Sequence, residues 1–216
     1  KEYMNLAENI GLLVRQISSG AIQKIEITTN GELSQLNCSP LKVAILKGIL
    51  CRNMESVNYV NAPIIAKARG IDVIESKSNK TSNYSGLITV SITTDSNTHC
   101  VSGAMIAENT PRIVRIDGYI TSIAPAEHIL IAPHQDKPGM IAKVATVLGS
   151  NNINISMMQV ARKNNAVGGE SIMIFITDSQ VHIDLLAEIK LIDCIYNASY
   201  VNLSPEKTTE EAVARV

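Results

Sequence analysis

The sequence predicts an α/β chain (α+β in segregation) of two domains, an α/β unit over residues 1–124 and a ferredoxin-like βαββαβ unit over 125–203. Three observations carry this. The chain has 216 residues, of which 45% are hydrophobic, enough for a real core in one or two domains and too many for general disorder. Apolar spacing in the first part switches repeatedly between the helical and the strand period, with turn residues at each switch. From His128 onward the order reads strand, helix, strand, strand, helix, strand, which is the ferredoxin-like plan.

In chain order, Leu6, Ile10, Leu13 and Ile17 recur at helical spacing up to Ser18-Ser19-Gly20. A chain that starts inside a helix reads as a continuation of something upstream. Ile25 and Ile27 alternate with Lys24, Glu26 and Thr28 as a strand, and Asn30-Gly31 turns the chain. Pro40 opens a helix with Leu41, Ala44, Ile45, Gly48 and Ile49 on one face, where Gly48 permits close packing. Asn61 ahead of Pro63 starts another helix, which Gly70 stops before a strand from Ile71 to Ile74. Ser76 to Ser85 is polar and reads as a loop. Ile88, Val90 and Ile92 begin a hairpin that turns at Asp95-Ser96-Asn97, and Arg112 to Ile123 form a second around Asp117-Gly118. Pro125 marks the boundary. Beyond it come a strand (128–134), a helix (138–149), strands (153–160 and 170–177), a helix (181–189) and a strand (192–203), followed by a charged, frayed tail over 204–216.

Composition removes several classes of function. Lys and Arg number 19 against 20 Asp and Glu, so no global field draws the chain to nucleic acid or to an anionic membrane. With aromatics at 3% and no Trp, a base-stacking platform lacks its parts. Cys38, Cys51, Cys100 and Cys194 are scattered without ligand spacing, which points away from zinc or an iron-sulfur cluster and toward buried free thiols. No apolar run approaches the ~20 residues of a membrane span, and no signal peptide opens the sequence, so a cytoplasmic location is expected. No G-x-G-x-x-G follows a strand, Gly168-Gly169 being an isolated loop pair, so neither a dinucleotide site nor a catalytic site is expected in these residues. His99, His128 and His182 read as surface or strand-end residues.

The stretch from His134 to Asn154 concentrates polar groups at a strand end and helix start. Asp136, Pro138 and Gly139 suit an ordinary helix N-terminus. The same groups suit a small zwitterion: its ammonium would meet Asp136, its carboxylate the free amides above an unobstructed Gly139, and Asn154 could both donate and accept. Each charge-assisted contact contributes ~1.5–3 kcal/mol, whereas micromolar to millimolar affinity needs roughly 4–8, so several contacts must converge, including contacts from a second chain.

The βαββαβ plan with D-K-P-G-M-I-A-K-V-A-T-V-L-G and N-I-N-I resembles an ACT domain, an amino-acid-sensing module. Upstream, N-G-E-L, P-L-K-V-A-I-L-K-G-I-L, V-N-Y-V-N-A-P-I-I-A-K-A-R-G-I and P-R-I-V-R-I-D-G-Y resemble the intervening, or allosteric-substrate-binding, domain of long-form D-3-phosphoglycerate dehydrogenases. The resemblance covers nearly everything from Leu6 to Leu203. It implies a regulatory fragment that binds L-serine at an ACT interface through His134, Asp136, Gly139 and Asn154, the last serving a neighbouring subunit's pocket. It also implies a homodimer or tetramer, upstream catalytic domains that oxidise 3-phosphoglycerate with NAD, and feedback inhibition of serine biosynthesis. In some relatives the intervening domain binds a phosphorylated ligand. The corresponding cations are Arg112 and Arg115, but a spacing of three sends them to opposite faces of a regular strand, so only one would point into a given pocket. Lys47, Arg52, Lys67 and Arg69 are other cations, and Tyr119 stands where some relatives carry Arg. Alternative readings are a regulatory part of an L-serine dehydratase and a free-standing amino-acid sensor.

Overall fold

The computed structural model describes residues 2–53, 56–78 and 83–204. Helix α1 (Glu2–Ile17) leads into β1 (Ile22–Gly31), α2 (Ser39–Leu50), α3 (Ala62–Ala68) and β2 (Asp72–Ser78). Two hairpins follow, β3 (Gly86–Thr94) with β4 (Thr98–Ala107), and β5 (Thr110–Ile116) with β6 (Tyr119–Ile123). These strands form one six-stranded sheet in the order β2-β1-β3-β4-β5-β6. Among the described strands only β1 and β2 run parallel, joined by the α2–α3 crossover. Asp117 and Gly118 both adopt positive φ, as the tight β5–β6 turn requires.

One sheet face is apolar because Ile25, Ile27, Ile88, Val90 and Ile92 alternate with polar residues, and all five are buried. Helices α1 and α2 supply the other side of this core. They approach closely at two glycines: a Cβ on Gly11 would fall 2.4 Å from the Ile45 carbonyl oxygen, and one on Gly48 would fall 2.3 Å from the Glu8 carbonyl oxygen.

The second unit comprises β7 (His128–Gln135), α4 (Met140–Ser150), β8 (Ile155–Arg162), β9 (Glu170–Thr177), α5 (Ile183–Lys190) and β10 (Ser199–Asn202). Its sheet order is β10-β7-β9-β8. On one face Leu130, Ala132, Met173 and Phe175 pack with Val144, Leu148 and Ile189 of the two helices. On the other, Ile129, Ile131, Ile172, Ile174 and Val201 join the same core as the first unit. The two units therefore share apolar burial. Two glutamines tighten the seam: Gln16 of α1 donates to the Asn202 carbonyl and accepts from its N–H, each at 2.9 Å, which closes the outer edge of β10, while Gln159 of β8 accepts from the Ser122 N–H at 2.9 Å.

Some boundaries differ from expectation. Helix α4 starts at Met140, not at residue 138, because Gly139 takes a left-handed φ of 85° at the N-cap and leaves Pro138 outside. The last strand shrinks to four residues, since Cys194 at φ 71° breaks the extended run and leaves Ile195 with a single bridge to His134. The polar segment expected as a loop from Ser76 begins as strand through Ser78. The expected tail lies outside the described residues beyond Ser204. Of the four thiols, all free, only Cys38 is buried, its Sγ donating to the Leu33 carbonyl at 3.0 Å; the other three are half-buried. Among the described residues, no helix is long and apolar enough to cross a membrane.

Candidate functional site

Strands β7, β9 and β8 align His134, Ser171 and Arg162 in one cross-strand row on the helix-covered face. Ser171 is fully buried and spends its hydroxyl on the Ala161 carbonyl at 3.0 Å. His134 is 2% exposed, and its Nδ1 lies 3.1 Å from the Ala132 carbonyl oxygen. A carbonyl only accepts, so Nδ1 carries the proton, and in the neutral ring Nε2 remains an acceptor. Burial pushes the His134 pKa below its ordinary value of 6.5, against the opposing pull of the Ala132 carbonyl and the Asp136 charge.

Asp136 follows immediately beyond the strand. Its Oδ2 accepts from the Gly168 N–H at 3.2 Å and from Arg162 Nε at 2.7 Å. Those two contacts, the Gly168 amide foremost, hold its carboxyl below the usual range. Its own N–H bonds the Gly169 carbonyl at 2.8 Å, so the glycine pair forms one wall of the site. Gly139 is exposed, with open space where a Cβ would be, and the α4 amides of Ile141 and Ala142 have no backbone partner outside the helix among the described residues. Cys194 also borders this end: its carbonyl accepts from the Gln135 N–H at 2.9 Å, and its Sγ lies 3.2 Å from Lys137 Nζ.

Three of the four residues singled out from the sequence, His134, Asp136 and Gly139, thus meet at one end of the sheet. Asn154 does not. It precedes β8 at the opposite end and donates to Asp178 Oδ2 at 2.6 Å. Along β8 it is roughly 25 Å from Arg162 at about 3.3 Å per residue. Arg162 and Gly168 were missed by sequence reasoning because they reach Asp136 from 26 and 32 residues away, with no local pattern to announce them.

The expectation that Arg112 and Arg115 lie on opposite faces of their strand is overturned. The β4–β5 and β5–β6 registers both slip at Val114, pairing Arg112 with Ala104 and Arg115 with Ser102. At this bulge Ile113 joins the core and Val114 is buried as well, at 0% and 4% exposure, and the shifted register brings both arginines to the face opposite Ile113. Lys47 is not a free cation either, since Glu8 pairs with it at 2.6 Å. Tyr119 is buried, with the Lys163 ammonium 5.5 Å from its ring centroid. His182 is the exposed N-cap of α5, His128 stacks on Tyr200, and His99 bonds Asp117 at 2.7 Å.

The residues present do not fit a nicotinamide dinucleotide. The one parallel crossover among the described residues leaves β1 through Gly31-Glu32-Leu33-Ser34, which lacks the glycine-rich backbone cradle that a pyrophosphate needs. Nor do the described residues contain a cluster of three or more His, Cys, Asp or Glu able to hold a metal ion.

The family described as the D-3-phosphoglycerate dehydrogenase intervening domain matches residues 1–117, and the ACT domain family matches residues 128–190. Proteins named D-3-phosphoglycerate dehydrogenase are similar along nearly the whole chain. That of Synechocystis is 38% identical over 94% of this chain and 37% of its own length. That of Methanocaldococcus jannaschii is 38% identical over 94% and 38%, and that of Bacillus subtilis is 35% identical over the same shares. The chain therefore spans under two-fifths of the length of these relatives.

Proposed function

The chain belongs to the family of the D-3-phosphoglycerate dehydrogenase intervening domain and carries an ACT domain behind it, and from that premise we propose that it senses L-serine as the regulatory part of such a dehydrogenase. The parent enzyme would oxidise 3-phosphoglycerate with NAD in domains outside these residues, and serine would inhibit it.

The observation that carries this reading is the division of polar groups between the two ends of β8. The outer edge of β8 has no partner strand among the described residues, and Met158 and Val160 are exposed beside it. Two copies paired antiparallel along this edge, with a dyad near Met158, would set the partner's Asn154 opposite Arg162, next to His134 and Asp136. Each pocket would then take residues from both chains. Serine's ammonium would meet Asp136, its carboxylate the α4 N-terminus, and its hydroxyl His134 Nε2 or the partner's Asn154. A ligand held by both copies favours one arrangement of the pair over another, and that difference in affinity is what it can transmit. Because the ACT domain and the preceding unit share one core, they would move together.

Relatives named as dehydrogenases favour this over a dehydratase subunit or a free-standing sensor. Calorimetric titration of the chain with L-serine tests it. Binding is expected, and Asp136→Ala should weaken it at least about tenfold, the lower range for losing a charge-assisted contact. Absence of heat and of any thermal shift at millimolar serine would end the sensor reading.

A further inference from the structure

Arg162 already occupies the place in the pocket that a ligand's ammonium would take. It is the last residue of β8, and its backbone is fixed by pairing with Ser171, while its side chain is 46% exposed. The guanidinium touches Asp136 through Nε alone, on the oxygen that Gly168 also reaches, instead of through the two-pronged fork that makes such pairs strongest. Among the described residues its two Nη groups make no hydrogen bond. It can therefore swing into solvent without disturbing the sheet, and among the described residues Asp136 is its one polar partner.

We propose that Arg162 is an internal competitor for the effector pocket, a cation that occupies Asp136 until the ammonium of an amino acid displaces it, and that it thereby sets the concentration at which the effector binds. This rests on the reading above that an amino acid binds beside Asp136. On exchange, one ion pair breaks and another forms, so the carboxylate keeps a cation throughout. The freed guanidinium, less strongly hydrated than an ammonium, returns to water. A pocket open for only a fraction of the time binds with its intrinsic affinity reduced by that fraction. Arginine suits this role better than lysine, because its planar group reaches Asp136 from the strand end while its spare donors stay hydrated.

The test is calorimetry on the full chain with two probes, L-serine and ethanolamine, the latter carrying the ammonium and hydroxyl without the carboxylate. Arg162→Met is expected to bind both about tenfold more tightly, as for a pocket otherwise closed nine-tenths of the time. Arg162→Lys should fall between Arg162→Met and the natural chain. A gain in affinity is not something loosened packing can produce. Weaker serine binding by Arg162→Met with ethanolamine unchanged would show that Arg162 holds the ligand carboxylate and overturn the proposal, as would unchanged affinity for serine. If ethanolamine binds too weakly to measure, the serine comparison decides alone. Failure of the natural chain to bind serine would instead fault the effector reading on which the proposal stands.

Discussion

His134 couples both folding and the site to pH, because its ring is buried in the neutral form. Burial lowers its pKa below 6.5, so as pH falls through that value the unfolded chain takes up a proton before the folded one does. Stability contributed by the neutral ring is full above 6.5, declines as pH falls below it, and levels off below the depressed folded value. The same proton removes the Nε2 acceptor from the pocket. Serine affinity should therefore hold steady from pH 8 to 7 and fall with the imidazole midpoint, followed by NMR of the His134 ring, at a pH below 6.5. A midpoint above 6.5, or serine binding that tightens on acidification, would contradict this. Asp136 works in the other direction on the scale: its carboxyl, held low by the Gly168 amide and Arg162, stays charged throughout that range, so the acid-side loss of binding belongs to the histidine.

At the level of elements, the α1–α2 contact depends on residues without side chains. A methyl on Gly48 would collide with the Glu8 carbonyl oxygen at 2.3 Å and the Leu12 nitrogen at 2.9 Å, both backbone atoms of a helix that cannot yield singly. Gly48→Ala improves intrinsic helix propensity by under ~1 kcal/mol, yet forcing the helices apart costs about 1–3 kcal/mol, so the net expected effect is a lower urea midpoint. An unchanged or raised midpoint would mean that the helices can separate freely. Gly48, the alternating isoleucines of β1 and β3, and the Asp117-Gly118 turn could all be read in advance, because each signal lies within a few residues. The bulge at Val114 could not: it is set by the pairing of β5 with two neighbours, and it reverses which face Arg115 occupies. For the same reason the helix-start residues Asp136 and Gly139 were readable as a polar turn, while the engagement of Asp136 by Arg162 and Gly168 required the folded β8–β9 hairpin.

For the molecule as a whole, the two outer edges of the ACT sheet are treated differently. On β10, the amide of Gln16 satisfies both backbone groups of Asn202, which leaves that edge little to offer another chain. On β8, the outer ladder is unpaired among the described residues, and Met158 and Val160, with Ile141 of α4, are exposed at 41%, 37% and 40%. A second copy is thus expected on β8, and a charge there should separate the pair. In Met158→Lys, a dyad near Met158 brings two ammonium groups close together across the seam, while the side chain itself stays clear of the seam between the two units because Met158 points to the face opposite Gln159, which bonds Ser122. Light scattering at micromolar concentration should report a mass reduced toward that of the single chain. Serine binding should fall with it, since each pocket loses the partner's Asn154. Met158→Lys that is monomeric and still binds serine with unchanged affinity would show that one chain completes its own pocket, and Asn154 would then have to be removed from it; an unchanged mass would move the pairing surface off β8 altogether.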